Sequence, residues 1–393
     1  MALALGAGPE QLPWIVRAKQ DGYRVIALDA NPVAQGLFCA DQGIVVDIQD
    51  VDQVISIARR NSVELTIPSP IGNAIVTLGA VHDALGLPGV SRKSAELCSD
   101  KALFSQCMFG TTVNVPREIS LTCLEELCSC TTSLQWPMVI KPRFGSGSRG
   151  VVVVDEERQI AAMKSNKSLE NHYMRGVLAQ EFIDGVSLGV DGAVVGEEAI
   201  IALIRRKSLT PLPYRVEFQY ASPSGIAIDT EARVRSLIQA ATKALELEET
   251  VFHADLIVRA DGEVFLIELS ARPSGLMLSS KMVNLATGID FICEAIRLHA
   301  GCETNFSPRY QRPVIVHYWG SGQGTVQAVP EQKALRQVPE VEDVKLGLQL
   351  GTRIETPTCV AELLPYGYVV LSSQGDAESE VRMQSVLSSV RIE

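Results

Sequence analysis

The stretch His253-Ala254-Asp255-Leu256-Ile257-Val258-Arg259-Ala260-Asp261-Gly262-Glu263-Val264-Phe265-Leu266-Ile267-Glu268-Leu269-Ser270 is two alternating apolar runs around an Asp-Gly pair, the pattern of a tight β-hairpin. A two-residue turn at Asp261-Gly262 sets Ala260 opposite Glu263, Asp255 opposite Glu268 and His253 opposite Ser270. Facing residues hold their Cβ atoms roughly 4.5–5.5 Å apart on one sheet face. Two carboxylates about 5 Å apart repel by on the order of 3 kcal/mol at an effective dielectric of about 20. A proton, a basic side chain or a divalent cation must offset that repulsion. Mg²⁺, which takes one or two carboxylates together with substrate phosphates, suits the oxygen pair. Arg272 falls on the same face by the period of two and offers a plain ion pair instead.

Upstream, Val139-Ile140-Lys141-Pro142-Arg143-Phe144-Gly145-Ser146-Gly147-Ser148-Arg149-Gly150-Val151 ends one strand on a lysine and crosses a Gly/Ser loop into another, Val151–Val154. Glycines let backbone N–H groups converge on an anion, serines add hydroxyl donors, and the ammonium neutralises phosphate charge. The lysine precedes the glycines and a strand follows them, so this is not a Walker A loop. A Gly/Ser hairpin without a ligand is the bland alternative.

The first ninety residues alternate strand and helix patterns, which implies a parallel sheet covered by helices. Gly6 and Gly8 between the first strand and helix, with Asp29 ending the second strand, are similar to a dinucleotide fingerprint, but Gln11 occupies the third glycine position. A tight turn without a nucleotide is the favoured reading. β-rich segments dominate to about residue 275, and a small α+β module closes the chain.

Of the 393 residues, 46% are hydrophobic and 21% charged, enough for two or three cores. Thirty-five basic against 46 acidic residues, a net charge of -11, argue against a nucleic-acid partner. The sequence shows no membrane-spanning run and no signal peptide, so a cytoplasmic protein is expected. Nine scattered cysteines suit reduced thiols, and Cys123, Cys128 and Cys130 lack metal-ligand spacing.

On Lys101, Lys141, the Gly/Ser loop and the Asp255/Glu268/Arg272 set, the chain resembles the ATP-grasp superfamily over essentially its full length, and within it L-amino-acid ligases most. Biotin carboxylases and carbamoyl phosphate synthetases are more distant. The resemblance implies a mixed α/β and α+β fold: a Rossmann-like pre-ATP-grasp domain over 1–95, a two-lobed ATP-grasp domain over 96–305 with a lid lobe at about 113–185, and a C-terminal α+β subdomain over 306–393. It implies ATP with Mg²⁺, or Mn²⁺, and an ADP-forming coupling of a carboxylate to an amine. Lys101 and Lys141 are then phosphate contacts, Gly145, Ser146, Gly147 and Ser148 the loop over the triphosphate, and Gln180, Glu181, Phe182 and Ile183 the adenine hinge. Ser187 stands where the family's hinge has a ribose-binding glutamate, and Ser270 where many members have an asparagine metal ligand. Asp255 and Glu268 become the metal ligands and Arg272 the catalytic arginine. Arg215, Glu217, His253 and Ser270 are candidate substrate contacts, and a homodimer is expected. An ATP-binding regulatory protein and a nucleotide-dependent oxidoreductase are the rival readings.

Overall fold

The computed structural model describes residues 1–127, 133–165 and 171–393, so Cys128 and Cys130 of the cysteine cluster lie outside the described residues. The short apolar runs of the first ninety residues form a four-stranded parallel sheet in the order β3-β2-β1-β4, from Ala2–Leu5 (β1), Val25–Asp29 (β2), Gln42–Val45 (β3) and Leu65–Ile67 (β4). Helices alternate with these strands, as the sequence pattern requires. Asp50, for instance, starts the helix Val51–Arg60 by accepting the Gln53 N–H, one of the donors a helix start leaves unpaired.

A second, antiparallel four-stranded sheet in the order β5-β8-β6-β7 builds a smaller lobe from Glu118–Leu121 (β5), Met138–Pro142 (β6), Val152–Val154 (β7) and Val177–Glu181 (β8). It has a core of its own, including Met138, Ile140, Val154, Ile160 and Val177.

The largest sheet has eight strands in the order β13-β12-β9-β10-β11-β14-β18-β16. These are Val186–Val195 (β9), Glu198–Leu209 (β10), Glu217–Ser222 (β11), Thr250–Val258 (β12), Val264–Ser270 (β13), Val314–Tyr318 (β14), Val341–Leu346 (β16) and Gly367–Ser372 (β18). Gly324–Ala328 (β15), Arg353–Ile354 (β17) and Arg391–Ile392 (β19) make a small companion sheet. The 306–393 segment therefore has a local core around Trp319, Leu335, Val369 and Met383, yet β14 pairs directly with β11 and continues the central sheet. Two further clusters join strands of the first sheet to the central one: Leu3 and Leu5 share a core with Leu188, Val190 and Phe252. Among the described residues no helix is long and apolar enough to cross a membrane.

Candidate active site

The quoted hairpin forms, with Asp255 opposite Glu268 and His253 opposite Ser270. The turn, however, is one residue longer than expected. Arg259 N–H donates to Glu263 O at 2.9 Å and Gly262 N–H to Arg259 O at 2.9 Å, so Ala260, Asp261 and Gly262 make a three-residue loop with Gly262 at φ +81°. That slip would put the two acids out of register. A β-bulge between Asp255 and Leu256, where Glu268 and then Leu266 are the partners, leaves Ile267 as the extra residue and restores the pairing. Ile267 and Glu268 consequently both line the cavity beneath.

That cavity, of about 560 Å³, lies between the small lobe and the central sheet. Lys101 reaches it from the first turn of the helix Lys101–Met108, whose N-cap is Asp100. Asp100 also accepts two hydrogen bonds from Arg143, at 2.7 and 2.6 Å, and so ties the helix start to the Gly/Ser loop. The Lys101 ammonium donates to Gly145 O at 2.8 Å and stands 3.9 Å from Glu268 Oε2. Lys141, next to last in β6, is a buried ammonium that donates to Gln180 Oε1 at 3.0 Å, while Gln180 in turn donates to Glu118 Oε2 at 3.0 Å. Burial pulls the Lys141 pKa down to about 8, against the opposing pull of Glu118. The loop between β6 and β7 turns on left-handed residues, Gly147 at φ +68° and Ser148 at φ +60° among them. Its Gly147 O accepts the Val360 N–H at 3.2 Å, which brings the 306–393 segment to the cavity rim.

Residues 134–280 match the ATP-grasp domain. This segment is an ATP-grasp domain. The chain is 27% identical over 366 residues to the uncharacterized protein y4rH of Sinorhizobium fredii (strain NBRC 101917 / NGR234), across 91% of this chain and 75% of that protein. It is 25% identical over 236 residues to a D-alanine--D-alanine ligase of Cupriavidus pinatubonensis (strain JMP 134 / LMG 1197), across 56% of this chain and 70% of that enzyme. In fold it is similar to the L-amino acid ligase from Bacillus licheniformis, with a TM-score of 0.82, 20% identity and 100% and 98% of the two chains covered.

In this cavity the expected loop and hinge residues gather: Gly145 to Ser148, Gln180 to Ile183 and Ser187 all line it, as do Lys101, Lys141, Asp255, Glu268, Arg272, Arg215, Glu217 and His253. Two expectations change, those for Ser270 and for the partner of Asp255. Ser270 opposes His253 on the face that carries Glu268, but is not among the residues that line the cavity. Arg215 lines the cavity and stands over the Phe182 ring, 5.8 Å from its centroid. The partner that offsets the Asp255 charge is Lys207 and not Arg272: its ammonium contacts Asp255 Oδ1 at 2.5 Å and Glu217 Oε1 at 2.8 Å.

Arg272 makes no ion pair among the described residues; it donates to Pro273 O at 3.2 Å, and burial lowers its pKa against the pull of Glu268 and Asp255. The Arg272 carbonyl accepts from His253 Nδ1 at 3.1 Å. Burial together with the Arg272 charge holds the imidazole well below its ordinary pKa, so His253 is a neutral brace of the Arg272 backbone. Asp191, buried at 0% exposure, joins Arg205 and accepts from Ser274 Oγ at 2.5 Å. Sequence reasoning passed over Lys207 and Arg205, although a signal existed. In Arg205-Arg206-Lys207 the period of two sends Arg205 and Lys207 inward and Arg206 to solvent.

The rival dinucleotide reading finds no room. The Gln11 side chain fills the turn, accepting the Gly8 N–H at 3.1 Å and lying where a Gly6 Cβ would meet it at 3.2 Å. Asp29 Oδ2 is taken by the Ala7 N–H at 2.7 Å and Oδ1 by the Asn31 N–H at 2.8 Å.

Proposed function

We propose that this ATP-grasp chain is an ADP-forming ligase that activates a carboxylate, an amino acid's in the first instance, as an acyl phosphate and joins it to an amine. The observation that carries the reading is the convergence on one cavity of the Asp255/Glu268 pair, the Lys101 and Lys141 ammonium groups, and the Gly/Ser loop. The donor set suits Mg²⁺: two carboxylates side by side across a hairpin, opposite cations placed for phosphate. Asp255 and Glu268 would hold it, and it would neutralise charge on the terminal phosphates of ATP.

Lys101 and Lys141 add their charge to that end, and the N–H groups of the loop from Gly145 to Ser148 are free to converge on phosphate oxygens. Gln180 to Ile183 receive the base, with Arg215 over Phe182 closing that end. The substrate carboxylate attacks the γ-phosphorus, ADP leaves, and the acyl phosphate forms. The amine then attacks the acyl carbon through a tetrahedral oxyanion, phosphate leaves, and the nitrogen gives up its proton. Arg272, unpaired and held by the His253 contact to its own carbonyl, is the group that meets the oxyanion. Closure of the loop onto Val360 keeps water from the acyl phosphate. The domain bounds, the residue roles and a homodimeric state belong to the same reading. A coupled ADP-release screen of amino-acid pairs with Mg²⁺ tests it: pair-dependent turnover that Arg272→Ala abolishes is expected, and ATP binding without turnover for any pair would favour a regulatory protein.

A further inference from the structure

Five carboxylates line the cavity among the described residues: Glu10, Glu181, Glu217, Asp255 and Glu268. Four of them have a cation within reach. Lys207 serves both Asp255 and Glu217, Lys101 stands beside Glu268, and Arg117 pairs with Glu181 at 3.1 Å. Glu10, delivered from the turn after β1, has none among the described residues. Its Oε2 accepts the Leu276 N–H at 2.8 Å, and burial raises its pKa against that hydrogen bond and a second from Met277. A half-buried carboxylate with no cation facing a cavity is an incomplete electrostatic pair.

The surroundings say what completes it. Pro70, Leu276 and Leu278 give this end of the cavity an apolar wall, and Gly275 leaves open the space in front of the carboxylate, where a Cβ would come within 3.3 Å of Glu10 Oε2. Leu276 and Met277 both have left-handed backbones, at φ +58° and +62°. Such non-glycine residues are strained and persist where the surroundings hold them; here the Glu10 carboxylate accepts from the backbone of both.

Resting on the ligase reading above, we propose that Glu10 is the receptor for the protonated amine of a substrate: a primary ammonium group on an apolar body, the class to which the aliphatic and aromatic α-amino acids belong. The amine completes the ion pair left open by the protein, and through the Leu276 N–H its binding steadies the segment that follows Arg272.

Glu10→Gln is the discriminating variant, because a glutamine oxygen still accepts the Leu276 N–H while the charge is gone. The wild type and the variant, each loaded with Mg²⁺ and the non-hydrolysable analogue AMP-PNP, are titrated calorimetrically with the twenty proteinogenic amino acids singly, and with the des-amino acid matching each one that binds. Expected are an unchanged melting temperature and AMP-PNP affinity, a loss of about 10- to 100-fold in amino-acid affinity in the variant, and weak, variant-independent binding of the des-amino acid. Amino-acid affinity unaltered by Glu10→Gln, des-amino binding as tight as that of the amino acid, AMP-PNP binding with no amino acid taken, or a melting temperature that falls along with affinity would each overturn the Glu10 assignment alone. Failure of the wild type to bind AMP-PNP would instead overturn the ligase reading itself.

Discussion

Lys207 is the residue on which the acidic side of the cavity depends. Its side chain is 4% exposed and holds two carboxylates at once. Removing one partner of a buried pair leaves uncompensated charge and costs about 3–5 kcal/mol. Lys207→Met is expected to lose stability on that scale in urea titrations, and added Mg²⁺ should raise its melting temperature more than that of the wild type, since a cation at Asp255 replaces what was removed. Equal Mg²⁺ responses would take the metal away from Asp255. Lys141 gives a pH dependence. With its pKa pulled down to about 8, the ammonium is lost as pH rises through that value, whereas a bound triphosphate favours the charged form. AMP-PNP affinity should therefore fall by up to about tenfold per pH unit above about 8, with proton uptake on binding visible as a buffer-dependent calorimetric enthalpy. Lys141→Arg, charged throughout, should flatten the profile. At this scale the sequence exposed residues whose partners lie near in the chain or whose motif is local, such as Asp255, Glu268, Lys141 and the Gly/Ser loop. Glu10 reaches the cavity from the turn after β1, far along the chain from Leu276 and the other residues it meets there, and no spacing announces a meeting of that kind.

Among the elements, the β12–β13 hairpin shows how a pairing can be anticipated through two features that cancel. The Asp-Gly signal marks the turn, but the three-residue loop moves the register by one and the bulge at Ile267 moves it back. Bulges carry no dependable local signature, because an extra residue is tolerated wherever neighbouring strands bend to receive it. Gly262 bears the conformational burden of the turn at φ +81°. Gly262→Ala is expected to lower stability by about 1 kcal/mol in urea titrations, leaving turnover per folded molecule unchanged, as the site lies at the other end of the hairpin. Insertion of an alanine after Ile267 is a harsher test of the same geometry: the bulge already takes up one extra residue, so a second moves Glu268 out of step with Asp255, and Mg²⁺-dependent turnover should vanish while AMP-PNP still protects the loop between β6 and β7 from proteolysis.

Across the whole molecule, buried histidines set an acid limit. His82 and His299 share the Thr66 hydroxyl, at 2.6 and 3.0 Å, where the first sheet meets the helix Phe291–His299. Burial lowers their pKa values to about 4 and about 3, and that of His317 to about 4, from an ordinary 6.5. As pH falls below 6.5 the unfolded chain takes up protons first, so the stability held above that pH is lost progressively towards pH 4. Urea midpoints measured from pH 7 to 4.5 should fall steadily, and His82→Gln should shallow the slope. The parallel N-terminal sheet and the β-rich centre were legible from periodicity, but the junction of the 306–393 segment was not: β11–β14 pairing joins strands about a hundred residues apart.

The unbroken run of strands from β13 to β16 has a mechanical corollary. Backbone hydrogen bonds tie the acid-bearing edge to the C-terminal half as one rigid plate, so the cavity has a fixed anvil and a single jaw, the four-stranded small lobe. Opening and shutting must then be a swing of that lobe about the 181–186 connection and the 109–117 approach, with the rest of the protein standing still.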